Sequence, residues 1–404
     1  LAAPRLAAEE RAAWADVQRV DHIEAYDAFL QNWPNGPHAD LARQRRDYLW
    51  TTDEGAWLRA RQLNSPGGYN DFIRAYPRSP YAAEARRVLD DLARRETEQF
   101  VKDCADLNLI PPTYFPKASE EIAPMQAIIE RLIALGHAYV RHGNVYFSIK
   151  TDPDYGAMTR LGYADMLKIA NERGNIPSDP NKNDPLDFVL WQAGAPGEPT
   201  WASPWGPGRP GWHIECTAMS TRYLGEQIDI HGGGRDLIFP HHPSEIAQTE
   251  AYSGKKPFVR FWVHGGMAYL GGEKMSKSLG NMVFIRNALN EHSADALRWY
   301  LLSFPYREDF HYERAGVLAA EARVAQLREA LSATGGADAA TNGAAERTAY
   351  FAALDDDLQS PAALTQIEQL SQRILAAAAA GRDVAAAQAA LREMAHVFGF
   401  KAAE

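Results

Sequence analysis

The chain has 404 residues, of which 46% are hydrophobic and 23% charged, enough for two or three domains with cores of their own. No apolar run approaches the roughly 20 residues a membrane helix needs, and two cysteines, Cys104 and Cys216, are too few for a disulfide framework and point to a reducing cytoplasm. The formal net charge of −10 weighs against a large nucleic-acid surface, while leaving room for a local basic patch.

Residues 1–93 repeat with a period of 43. Trp14, Tyr26, Phe29, Pro34, Pro37, Ala39, Ala42, Arg43 and Leu49 recur as Trp57, Tyr69, Phe72, Pro77, Pro80, Ala82, Ala85, Arg86 and Leu92. Each repeat reads as a helix (His22–Trp33 in the first), a turn held between two prolines, and a second helix. Such units are similar to tetratricopeptide modules, which stack because no single hairpin can bury its apolar face. The module is expected either to bind a protein partner or to serve as a spacer or cap.

Residues 94–289 read as mixed α/β. Ile122, Met125, Ile128, Ile129 and Leu132 form one stripe of a helix over 118–135, closed by Gly136. Tyr139-Val140 and Val145–Phe147 form a hairpin around His142-Gly143-Asn144. Residues 176–211, rich in Pro and Gly, form an ordered loop layer. Phe261–His264 is expected to be a buried strand. It leads to Lys274-Met275-Ser276-Lys277-Ser278, a short loop whose lysines and serines suit charge-assisted hydrogen bonds to a nucleotide triphosphate. Residues 290–404 are helical and rich in Ala and Leu, with a flexible connection expected at Gly335-Gly336 and Asn342-Gly343.

Three clusters in fixed order give these elements a context. Gly211-Trp212-His213-Ile214-Glu215-Cys216 comes first. His231-Gly232-Gly233-Gly234-Arg235-Asp236 follows, with Pro240-His241-His242 and Glu245, and Lys274–Ser278 comes last. Together with Asp184–Phe188, Ser203–Gly206, Gly208–Pro210 and Asp295–Arg298, these residues resemble the cysteinyl-tRNA synthetases, class I enzymes that activate cysteine with ATP. The resemblance runs from about Arg94 to the C-terminus. It implies a Rossmann-like catalytic portion over 94–289 and a helical bundle over 290–404.

The resemblance also implies roles. Cys216, His241 and Glu245 would hold zinc, which in the family binds the sulfur of the substrate cysteine. His241 and Glu245 are four residues apart, so a helix starting near Pro240 puts both on one face. Three protein ligands leave a coordination position open. His231, Gly233, Gly234 and Asp236 would line the adenosine site, and Asp236 would hold the substrate ammonium. Trp212 would floor the cysteine pocket. Lys274 and Lys277 would act on the phosphates of Mg-bound ATP. Arg298 belongs to the packing of the bundle, and His213 and His242 are left without a role.

The chain also departs from the family pattern. Its twelve histidines include no His-x-Gly-His pair, the signature that in the family stabilises the transition state at the phosphates. The family's fourth zinc ligand, a cysteine on the first strand, has no counterpart, and Cys104 reads as a structural thiol in a helix. The repeats stand where the first half of the Rossmann fold is expected, so strand edges are expected to lack neighbours. Three readings follow. One is ATP-dependent activation of cysteine for transfer to tRNA-Cys. Another is ligation of cysteine to a small amine, which Glu172–Asn175 and Tyr306–Asp309 resemble through a ligase of mycothiol biosynthesis. The third is a non-catalytic relative that senses a ligand or binds a partner.

Overall fold

The computed structural model describes residues 2–195, 198–276 and 279–403, with side chains from Leu6 onward. Lys277, a phosphate-binding candidate, lies outside the described residues. Two compact units are present: residues 1–99 with 193–202 and 207–209, and residues 100–192 with 203–206 and 210–404.

The first unit holds helices α1 (Ala2–Val20), α2 (Ile23–Asn32), α3 (Ala39–Leu49), α4 (Asp53–Leu63) and α5 (Pro66–Ala75), and most of α6 (Ala82–Asp106). Each 43-residue repeat therefore carries three helices rather than two, because the tryptophan of each repeat sits on a helix of its own. Trp14 packs on Tyr26, Phe29 and His38, and Trp57 packs on the equivalent Tyr69, Phe72 and Tyr81. The turns repeat as well. Asp21 and Asn64, both at positive φ, accept the hydroxyls of Tyr26 and Tyr69 at 2.9 and 3.1 Å. Short polar side chains tolerate that backbone region best among non-glycine residues. Helix α6 runs through residues 93 and 94 without a break.

In the second unit, α7 (Ile122–Ala134) buries Met125, Ile128, Ile129 and Leu132, as the stripe predicts. Gly136 follows at φ +81°. Strands β1 (Ala138–Arg141) and β2 (Asn144–Phe147) form the expected hairpin, with His142 and Gly143 both at positive φ. β3 (Phe188–Ala193) pairs antiparallel with β2, and the short strand β4 (Gly208–Pro210) follows in the chain. The buried carboxylate of Asp187 organises this corner. It accepts the Tyr139 hydroxyl at 2.7 Å and the Ile149 and Asp184 amides at 2.9 and 3.0 Å. Helix α8 (Tyr163–Glu172) lies between β2 and β3 in the chain.

Helix α9 (Trp212–Leu224), strand β5 (Ile228–Gly234), helix α10 (His241–Ser253) and strand β6 (Val259–Gly265) then follow. β5 and β6 pair in parallel as a two-stranded sheet. Phe261 is therefore not the core residue expected of a buried strand: it is 66% exposed, as is Ile230 at 65%. A doubly wound sheet buries both faces of its strands, and two strands leave these side chains uncovered. β7 (Ala268–Leu270) pairs antiparallel with β8 (Glu273–Lys274) and parallel with β9 (Phe310–His311).

Helices α11 (Ile285–Ala288), α12 (Ala294–Leu302), α13 (Arg314–Ser332), α14 (Ala344–Asp355), α15 (Ser360–Ala379) and α16 (Ala385–Val397) complete the chain. Leu297, Val324, Leu327, Tyr350, Ile367 and Leu391 are among the residues of their shared core. Arg298 donates to the Phe398 and Leu107 carbonyls at 2.8 and 2.7 Å, a packing role as expected. The glycine connection is packed rather than flexible. The Gly336 amide bonds the Arg382 carbonyl at 2.9 Å, and a Cβ on Gly336 would fall 1.9 Å from the Gly381 carbonyl oxygen. Among the described residues no helix is long and apolar enough to cross a membrane.

Candidate functional site

The site is built by the consecutive elements α9, β5, α10 and β6. Gly211 allows α9 to start where it does, because a Cβ there would lie 2.0 Å from the Val189 carbonyl oxygen. Trp212 and His213 occupy the first turn of α9, and Cys216 comes one turn later. After β5 the chain turns through Arg235–Leu237 and starts α10 at His241, where the sequence places it. His241 and Glu245 then share one face, and both are buried.

Cys216, His241 and Glu245 converge although they come from two helices: their ligand atoms all lie within 4.8 Å of one another. His241 Nε2 is 3.5 Å from Glu245 Oε2, while its Nδ1 is 2.8 Å from Nδ1 of His213. Trp212 stacks on the His241 ring at 4.4 Å and is itself 58% exposed, so it roofs the cluster towards solvent.

The electrostatics fit a cation. Both Glu245 oxygens are buried without a hydrogen-bond partner. Burial pushes the Glu245 carboxyl up to about 8 and the Cys216 thiol up to about 12, the latter with a further push from the Glu245 and Glu215 charges. Burial, then neighbouring histidines, pull His241 and His242 down to about 3. Without a cation every member of the cluster is driven towards its neutral form. A divalent ion reverses that preference for the carboxyl and the thiol, and neutral imidazole is already the ligating form. A buried carboxylate with no donor, beside a thiol and an imidazole, matches the donor set of a zinc site.

His231, a residue of the adenosine site by the resemblance, also faces the carboxylate. Its Nε2 points to Glu245 Oε2 at 3.4 Å, which puts the ring beside the metal candidates. His242, left without a role by the sequence, lies on the same side, and His264 of β6 joins it at 2.8 Å. These histidines come from different elements, so no spacing rule reveals them together. The tandem His241-His242 and the histidine ending Phe261–His264 were the available signals.

Gly233 and Gly234 are tight for reasons internal to the site. A Cβ on Gly233 would lie 2.8 Å from Leu237 Cδ1 and 3.0 Å from His242 Cε1, and one on Gly234 would lie 2.5 Å from Asp236 Oδ1. Asp236 pairs with Lys274 at 3.0 Å, so one candidate for the substrate ammonium holds one candidate for the phosphates. Gly271 and Gly272, both at positive φ, turn β7 into β8 and deliver Lys274 to that position. Asn281 then folds the loop back, accepting the Ser276 amide at 2.9 Å and donating to the Lys274 carbonyl at 3.2 Å. Cys104 lies half-buried on α6 and joins neither metal-competent group found among the described residues.

The chain is similar to known proteins. A cysteine–tRNA ligase of Dehalococcoides mccartyi is 45% identical over 286 residues, covering 70% of this chain and 62% of that protein. One from Yersinia enterocolitica is 44% identical over 314 residues, covering 77% and 67%. The chain thus spans roughly two thirds or less of the length of these relatives. In fold it is similar to Mycobacterium tuberculosis methionyl-tRNA synthetase in complex with methionyl-adenylate, with a TM-score of 0.51 at 16% identity over 86% of this chain and 84% of that one. Residues 80–322, more than half of the chain, match the family described as tRNA synthetases class I (C) catalytic domain, and the chain belongs to that family.

Proposed function

We propose that this chain binds cysteine and ATP as a cysteine–tRNA ligase does, in the cytoplasm, with Cys216, His241 and Glu245 as the zinc ligands. The observation that carries this reading is the buried, donor-less Glu245 carboxylate beside Cys216 and His241, under the exposed ring of Trp212. When bound there, zinc supplies a borderline-soft Lewis acid for which thiolate is a better ligand than hydroxyl, so cysteine is preferred over serine.

The remaining roles fall to side chains nearby. Trp212 covers the thiol end of the pocket and excludes water. Asp236 offers its carboxylate to the substrate ammonium once Lys274 leaves it. Lys274 and Lys277 would then be available for the phosphates of Mg-bound ATP, with Gly233 and Gly234 admitting the nucleotide along the end of β5. The relatives' names make tRNA-Cys the first acceptor to test, ahead of a small amine. Residues 94–289 would carry the catalytic portion, the helices after Leu289 the bundle, and residues 1–93 a partner-binding module whose exposed Leu41, Tyr48 and Leu63 suit a protein partner.

One observation favours a second reading. No His-x-Gly-His pair occurs in the 404 residues, and one-sided charge stabilises a phosphate transition state poorly. Under that reading the chain binds its ligands without forming cysteinyl-adenylate.

Cobalt substitution tests the proposed metal seat. The cobalt-loaded chain is expected to show a sulfur-to-cobalt charge-transfer band that gains intensity with cysteine and not with serine. A band that is absent, or that persists in Cys216→Ala, overturns the assignment.

A further inference from the structure

Glu245 has a second set of neighbours. His231 Nε2 lies 3.4 Å and His242 Nε2 3.9 Å from Glu245 Oε2, and the ligand atoms of these three residues also lie within 4.8 Å of one another. We propose that His231, His242 and Glu245 form a second seat for a divalent transition-metal ion, sharing Glu245 with the Cys216 seat and filled in its place rather than beside it.

Three observations carry the proposal. First, His242 Nε2 is buried with no hydrogen-bond partner, as are both oxygens of Glu245, and a native interior seldom leaves such atoms orphaned without a reason. Second, His242 is oriented from behind. Its Nδ1 is 2.8 Å from His264 Nε2, so a proton on Nδ1 donated to His264 leaves Nε2 free to ligate. Metal-binding histidines are held by such an outer partner. The arrangement parallels the His213–His241 pair on the other side of the carboxylate. Third, the separations suit an ion. Ligand atoms about 2.1 Å from a tetrahedral centre sit roughly 3.4 Å apart, close to the distances seen before any adjustment to a metal.

Charge makes the two seats exclusive. Across both, only Cys216 and Glu245 can become anionic, since the imidazoles ligate as neutral rings. Two dications sharing one carboxylate in a buried cluster would repel each other without further counter-charge. One ion with two available seats avoids that cost. The second seat has two nitrogens and one oxygen, a set that leaves coordination open and suits zinc or cobalt without the sulfur contact. Oxidation or blocking of Cys216 would therefore shift the ion by one seat and retain it, at the expense of thiol recognition.

The test uses the full chain titrated with cobalt. Cys216→Ala is expected to bind about one cobalt per chain with no sulfur charge-transfer band. Adding His231→Ala or His242→Ala to it is expected to weaken that binding by roughly tenfold or more, whereas adding His142→Ala on the exposed β1–β2 turn leaves it unchanged. Cys216→Ser, closer in volume, serves should Cys216→Ala fail to fold by circular dichroism. A folded Cys216 variant that binds no cobalt overturns the proposal, as does binding indifferent to both His231 and His242. The wild-type sulfur band reports the Cys216 seat separately, so the failure of either seat is distinguishable from the failure of the other.

Discussion

Replacing His213 tests the metal cluster without touching a proposed ligand. Ligation through His241 Nε2 requires the ring proton on Nδ1, which donates to His213 Nδ1 across 2.8 Å. In His213→Ala that N–H loses its partner inside a buried pocket, a loss of about 1–3 kcal/mol. At about 1.4 kcal/mol per decade this corresponds to roughly 5- to 150-fold in affinity, overlapping the 10–100-fold typical of outer-sphere partners. Because His213 is only half-buried, water can enter the space it leaves, and the expectation is about tenfold weaker zinc binding. The assay is competition against a chromophoric chelator, with circular dichroism to verify the fold. His213→Asn, whose amide oxygen can accept the same proton, should recover most of the loss. Zinc affinity unchanged in His213→Ala would mean either that His241 is not a ligand or that its ring is held by Trp212 stacking alone, and would refute this account of the site.

Further tests address other parts of the chain. Trp57→Ala removes a buried ring packed on Tyr69, Phe72 and Tyr81, and thermal or denaturant unfolding of the helical repeats should show a loss of about 3–5 kcal/mol; a loss under 1 kcal/mol would show that the aromatic cluster is not what holds them together. Gly233→Ala places a methyl 3.0 Å from His242, and metal titration should show weakened binding when the Cys216 seat is also removed; unaltered binding would mean that the His242 ring yields freely. Asp236→Asn should weaken zinc-dependent cysteine binding by roughly 10- to 100-fold in calorimetry, while a neutral result would leave the substrate ammonium to another group. Cysteine-dependent exchange of pyrophosphate into ATP should be slow or absent for these 404 residues, and a robust rate abolished by Lys277→Ala would show that the site needs no His-x-Gly-His pair.

What the sequence made legible follows physical range. His241 and Glu245 could be paired from a spacing of four because helical periodicity is local, and the hairpin at His142-Gly143 because only a few residue types take positive φ twice in succession. The 43-residue period was also legible, although the helices carrying Trp14 and Trp57 were not separated from their neighbours. The tryptophans mark the start of each repeat but lie outside the proline-bounded segments that drew the helix boundaries. Strand β6 illustrates the opposite limit. Its apolar run gives the right element and the wrong burial, since burial of Phe261 depends on a neighbouring strand that β5 alone does not provide.

The histidine cluster lies beyond local rules altogether. His213, His231, His242 and His264 come from α9, β5, α10 and β6 and meet only because those elements converge on Glu245. Alone, His213, His242 and His264 read as ordinary core or surface histidines, and His231 as a residue of the adenosine site. With His241 they supply two outer partners, His213 and His264, and three inner nitrogens, those of His231, His241 and His242, around one buried carboxylate. A protein could hold a single zinc with fewer imidazoles. The surplus on the His231 side gives Glu245 an alternative set of partners, and in a chain with no cysteine besides Cys216 at the cluster it offers the ion a place independent of sulfur.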